Sequence, residues 1–104
     1  MSGPVKHIVM WTLRAETPEQ MAAARLKVKI GFESLKGRID GLKHIEVGID
    51  LGNVDYACDV VLVSEFENMS DLKSYATHPE HLRLRNELGD LRIGRHQVDY
   101  LVES

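Results

Sequence analysis

The chain has 104 residues, of which 43% are hydrophobic and 28% charged, with a formal net charge of −3 and one cysteine. A compact domain of this length exposes roughly 5,900 Å² and buries about 65% of its unfolded surface, so a single domain over residues 1–104 with its own core is expected. The apolar content excludes disorder, the acidic balance without a basic cluster argues against a nucleic-acid partner, and the lone Cys58 excludes an intrachain disulfide.

Runs such as Val60 to Val63 are too short to span a bilayer, and Met1 to Lys6 lacks the apolar stretch of a signal peptide. With no disulfide to form, a reducing, cytoplasmic location is expected. Val5 to Leu13 is short and β-branched, which predicts a first strand. Thr17-Pro18-Glu19-Gln20 predicts a helix start, with Thr17 as N-cap, Pro18 in the first turn and Gln20 closing a capping box. Met21, Ala24, Val28, Phe32 and Leu35 recur every three or four residues as one apolar stripe, and Gly37 is the expected stop. Lys43 to Leu51 alternates Ile45, Val47, Ile49 and Leu51 with Glu46, Gly48 and Asp50, the period of a second strand. Gly52-Asn53-Val54-Asp55 is turn chemistry.

A third strand is expected over Asp59 to Glu67, with Val60, Leu62 and Phe66 on one face and Val61 and Val63 on the other. Ser70 is the expected cap of a short helix to Tyr75. The His78-Pro79 step interrupts it, because a residue before proline is pushed out of the α region. Pro79 then opens a second helical segment, Glu80 to Leu88, stopped by Gly89, and Arg92 to Val102 closes the chain as a strand with Val98, Tyr100 and Val102 on one face. Gly48 and Gly94 inside strands mark bulges or close approaches. The order βαββαβ is an α+β, ferredoxin-like arrangement: a four-stranded antiparallel sheet with its helices on one face. Strands one and three carry apolar residues on both faces, Ile8 and Met10 opposite Val9 and Trp11, and Val61 and Val63 opposite Leu62. A bare apolar sheet face calls for a cover, and the expected partner is a second copy packed sheet to sheet as a homodimer, a dimeric α/β barrel.

Five histidines are the informative set: His7, His44, His78, His81 and His96. His7 shares one strand face with Val9, Trp11 and Leu13, so it is either a satisfied core residue or a group aimed into a space between sheet and helices, with those three lining it. With His78 as N-cap and Pro79 at N1, His81 falls at N3, where the helix dipole favours a neutral imidazole and hence a general base. Glu80 pulls the other way. Tyr75, just before the break, is placed to donate to a developing oxyanion. The alternative is that Tyr75 and His81 only bond free carbonyls of the loop. Pro79 breaks the geometry that would align His78 and His81 on a metal, so no metal site is expected, and there is no phosphate-binding glycine loop, C-x-x-C or nucleophile elbow.

Val5-Lys6-His7-Ile8-Val9-Met10-Trp11, Gly41-Leu42, Phe66-Glu67-Asn68, Tyr75-Ala76-Thr77-His78-Pro79-Glu80-His81 and Val98-Asp99-Tyr100 together resemble the stress-responsive dimeric α/β-barrel (A/B barrel, Dabb) family over nearly the whole chain. Most members of that family have no assigned reaction. The resemblance therefore implies a homodimeric domain of unassigned role, with a sheet–helix pocket for a small metabolite and no cofactor. A distant similarity to one member, olivetolic acid cyclase, implies the alternative: a cofactor-independent cyclase or isomerase acting on a small carbonyl or phenolic, polyketide-like substrate. On that reading His81 is the general base, Tyr75 the oxyanion donor, His7 a pocket residue, and His78 a structural neighbour of the site. This sequence departs from that cyclase in having no tyrosine on its first helix, which offers Lys27 and Lys29 instead, and in having Asp59 where the cyclase has a histidine.

Overall fold

β1 (Val5–Leu13) turns the alternation of its sequence into two faces: Val5, His7, Val9, Trp11 and Leu13 are buried, while Lys6, Ile8, Met10 and Thr12 point the other way. The computed structural model describes residues 3–52 and 54–103, so Met1, Ser2, Ser104 and Asn53, on which part of the expected Gly52–Asp55 turn falls, lie outside the described residues. The elements that follow are α1 (Pro18–Glu33), β2 (Leu42–Ile49), β3 (Val60–Phe66), α2 (Met69–Ala76), α3 (Pro79–Leu88) and β4 (Arg92–Leu101). The four strands form one antiparallel sheet in the order β2-β3-β1-β4, the ferredoxin-like order expected from βαββαβ. Among the described residues, no helix is long and apolar enough to cross a membrane.

The core lies between one sheet face and the helices. Val9, Val28, Phe32, Leu35, Leu62 and Phe66 are all but inaccessible there. Each such side chain contributes about 1.5–3 kcal/mol relative to exposure. The α1 stripe of Ala24, Val28 and Phe32 faces this core as its spacing requires, with Met21 partly buried at its edge and Leu35 buried just beyond the helix end. α1 also meets α3 closely: a Cβ added to Gly31 would sit 2.5 Å from Leu84 Cδ1. Among the described residues, no helix covers the opposite sheet face. Register places Met10 beside Val61 and His96, and Ile8 beside Val63 and Val98. Met10, Val98 and Tyr100 are 41%, 61% and 46% exposed.

Local expectations are corrected at four points. Gln20 does not close its box on the N-cap; its Oε1 accepts from Glu16 N–H at 2.7 Å, while Thr17 Oγ1 accepts from Gln20 N–H at 3.1 Å. α1 ends at Glu33, before the expected stop, because Ser34 caps it and the chain tightens into turns ahead of Gly37. Asn68 caps α2 in place of Ser70, its Oδ1 accepting from Asp71 N–H at 2.8 Å. β2 ends at Ile49, leaving Leu51 87% exposed. Gly94 is the close approach expected of it: an added Cβ would collide with Thr12 Oγ1, beside a shift of register at Thr12 and Leu13.

Both sheet edges matter for function. At the β2 edge, Val47 C=O accepts from Lys29 Nζ at 2.8 Å and Val47 N–H donates to Glu33 Oε2 at 3.0 Å. That contact blunts an open edge. Among the described residues, nothing bonds to the β4 edge in that way.

Candidate functional site

The break between α2 and α3 builds the first half of the site. His78 is extended, as a residue before proline must be, and its Nδ1 accepts from Glu80 N–H at 3.1 Å. His81 therefore stands at N3 of α3. Its Nδ1 lies 3.2 Å from the carbonyl oxygen of Ala76, one of the last carbonyls of α2. A carbonyl can only accept, so Nδ1 carries the proton and Nε2 has the free lone pair. Burial, together with the nearby Arg92 and Arg85 and against that carbonyl contact, lowers the His81 pKa from 6.5. That direction favours the neutral ring. Glu80 has little hold on it, since its carboxylate is engaged by Arg38 and Arg83.

Tyr75 is the hub. Its ring is 3% exposed and lies between Phe66, His7 and His81, with centroid separations of 5.0, 6.1 and 4.4 Å. Its hydroxyl is buried without a hydrogen-bond partner among the described residues. Burial pushes its pKa well above 10, so the group stays a donor across the whole neutral range. The loop-bonding alternative thus holds for one nitrogen of His81 and fails for Tyr75.

β1 and β4 supply the second half. His7 Nδ1 lies 2.6 Å from Asp99 Oδ1, across the register pair His7–Asp99. A carboxylate oxygen accepts, so His7 also donates from Nδ1. Gln97 Nε2 donates to the other oxygen of Asp99 at 3.0 Å, and Arg95 Nε donates to Gln97 Oε1 at 3.0 Å. Arg95, Gln97, Asp99 and His7 thus form one polar row along the helix-facing side of the sheet edge. Between that row and α2 is a cleft of about 230 Å³, lined by His7, Lys73, Tyr75, Arg95, Gln97 and Asp99 among others. The volume falls below the roughly 300–1,000 Å³ of drug-sized sites, which limits an occupant to a small molecule.

The structure therefore packs the rings of His7 and His81 against Tyr75, with His7 and Tyr75 lining the cleft and His81 behind the Tyr75 ring, outside that lining. It does not bring Val9, Trp11, Leu13 or His78 to the cleft. Val9 and Leu13 are core residues, Trp11 stacks on Phe32 at 5.1 Å beneath the Arg92 guanidinium, and His78 is a helix cap. Lys29 is committed to Glu33 and Val47, and Asp59 accepts from Leu13 N–H at 2.7 Å and faces Arg25, so neither replaces a site residue. Arg92, Arg95, Gln97 and Asp99 escaped the reading of the sequence. Their signal was present in the period-two spacing of Arg95, Gln97 and Asp99, opposite in phase to Val98 and Tyr100. Among the described residues, no three His, Cys, Asp or Glu side chains are grouped to hold a metal ion.

No curated protein matches the chain. Solved structures do. A dimeric protein of unknown function and ferredoxin-like fold from Bacteroides fragilis is 38% identical, with 96% of this chain and 97% of that one covered and a TM-score of 0.83. A Dabb family protein with a ferredoxin-like fold from Mesorhizobium loti is 18% identical over 98% of this chain and 99% of that one, with a TM-score of 0.74. The hydroxynitrile lyase from Passiflora edulis is 16% identical over 97% and 94%, with a TM-score of 0.75. At those last two identities the likeness is one of fold. Matched from residue 5 to residue 102, the chain belongs to the Stress responsive A/B Barrel Domain family, Dabb.

Proposed function

We propose that this Dabb protein is a homodimer whose sheet–helix cleft performs acid–base chemistry on a small carbonyl compound. The observation that carries the chemistry is the partnerless, buried hydroxyl of Tyr75, packed against two imidazoles that are each anchored through Nδ1. A buried donor left without a partner costs about 1–3 kcal/mol, and a site that waits for a substrate oxygen is where such a cost is tolerated. In the proposed reaction His81 Nε2 takes a proton from the carbon next to the carbonyl. The electron pair moves onto the carbonyl oxygen, Tyr75 donates to the resulting enolate, and His7 Nε2 orients the substrate. The likeness of fold to a protein named a hydroxynitrile lyase is consistent with an enzyme on this scaffold.

The test is proton–deuterium exchange at the α-carbon of a panel of small β-keto and phenolic ketones, followed by NMR in heavy water. Wild-type protein is expected to accelerate the exchange of a subset. His81→Ala is expected to lose roughly 10²–10⁴ of that acceleration while its circular dichroism is unchanged. Equal exchange by wild type and His81→Ala would remove the proposal.

The homodimer is supported by the uncovered apolar face and by an accessible surface of 6666 Å², above the roughly 5,900 Å² of a compact monomer this size. A hollow of about 540 Å³ on that face, bordered by Met10, Ile49, Tyr56, Cys58, Val61 and His96, is where the second copy would seat. The Bacteroides fragilis protein, similar over nearly the full chain, is itself dimeric.

A further inference from the structure

Among the described residues, Arg14 pairs with Asp90, Arg25 with Asp59, Arg38 with Glu80, and Arg83 with Glu80 and Glu87. Among the described residues Arg85, Arg92 and Arg95 have no carboxylate partner, and Arg95 lies where the cleft of Tyr75 meets the hollow that Arg92 borders. Arg92 rests on the aromatic pair, 4.9 Å from the Trp11 ring and 5.7 Å from the Phe32 ring, and borders with Arg95 a hollow of about 220 Å³ at the end of β4. Arg95 also lines the cleft of Tyr75, together with Lys73, which has no ion pair either.

The three guanidinium groups act on one another and on the site. Arg95 and Arg85 add to the burial that lowers the Arg92 pKa, Arg92 and Arg85 add to the burial that lowers the His81 pKa, and Arg92 and Arg95 oppose the burial that raises the Tyr75 pKa. Like charges gathered at a partly buried edge are unfavourable in a free protein, and a bound anion relieves them. The one carboxylate in the cleft, Asp99, is already held by His7 and Gln97. Tyr75, whose buried hydroxyl is without a hydrogen-bond partner among the described residues, lines the same cleft.

We propose that the ligand of this cleft is a small organic carboxylate, its anionic end held by Arg92 and Arg95 and its reacting carbonyl at Tyr75. A planar guanidinium suits a carboxylate better than a point charge does. The inference deepens the acid–base reading and rests on the same cleft.

Benzoate, benzamide and inorganic phosphate separate the outcomes, each titrated into the full-length protein and followed by amide chemical shifts and calorimetry. Benzoate is expected to shift Tyr75, Ala76 and Gln97 and to bind roughly tenfold more tightly than its neutral isostere benzamide. The preference is expected to fall as salt rises. Arg95→Gln is expected to abolish it, and Arg95→Lys to restore part of it. Arg92→Gln tests the second arginine, but Arg92 covers core aromatics; Arg95 is exposed and keeps the test clear of misfolding. Equal binding of benzoate and benzamide at these residues would overturn the carboxylate assignment and leave the cleft as a ligand site. Phosphate binding with no benzoate binding would overturn it in favour of a phosphate ligand. No binding of any probe would also overturn it, while α-proton exchange independently decides the acid–base reading.

Discussion

Replacing Tyr75 with phenylalanine is expected to stabilise the protein and disable it together. The hydroxyl is buried and has no partner, and the ring is held by Phe66, His7 and His81. Deleting only the oxygen keeps those ring contacts and relieves an unsatisfied donor, whose burial costs about 1–3 kcal/mol. A small void left by the oxygen offsets part of this, so a net gain of about 1 kcal/mol is expected. For a domain of this size that corresponds to a rise in Tm of about 4–8 °C. Loss of one oxyanion donor should lower the α-proton exchange rate by roughly 10²–10³. Calorimetry on Tyr75→Phe and the wild type, with exchange measured on the same samples, checks both halves. If the variant melts lower than the wild type, the hydroxyl has a partner in the folded protein and the orphan-donor argument fails. If it melts higher but exchanges protons at the wild-type rate, the hydroxyl is no catalytic donor.

Three more outcomes follow from particular contacts. Because His81 has a folded pKa below 6.5, the unfolded state binds more protons between the two values; its stabilising contribution is present above pH 6.5 and is lost as pH falls toward the folded pKa. Urea midpoints across pH 5–7 should thus fall less steeply for His81→Asn, and the acid limb of wild-type kcat/KM should lie below pH 6.5; a limb above 6.5 would contradict the assigned environment. Asp99→Ala leaves the buried Nδ1–H of His7 without its acceptor and is expected to cost about 1–3 kcal/mol, read as a lower urea midpoint with unchanged slope, with Asp99→Asn costing less. Val61→Glu places a charge in the middle of the open face and should shift the protein to a monomer in sedimentation velocity without loss of secondary structure. A dimer that persists in this variant would argue against sheet-face association.

Much of the fold was legible because each element states its own period. Val5 to Leu13 alternates, the stripe from Met21 to Leu35 follows the helical repeat, and His78-Pro79 breaks the second helix where backbone sterics require it. The misjudged ends are those at which short polar side chains compete for the same free backbone groups. Asn68 and Ser70 are both able to cap, and Ser34 closes α1 before Gly37 can.

The site divides along the same line. Tyr75, His78 and His81 lie within one short stretch, so their spacing alone assigns the break, the cap and the N3 imidazole. The partnership of His7 with Asp99 spans 92 residues and exists only because β4 pairs with β1 in one register. Shifting that register by one residue would turn Arg95, Gln97 and Asp99 to the open face. The sequence by itself determined the alternating faces and the chemistry of the α2–α3 break, which depend on neighbours in the chain. Only the tertiary structure decided that an uncovered sheet edge would bring Asp99 and the unpaired arginines to Tyr75, because long-range strand pairing sets those distances.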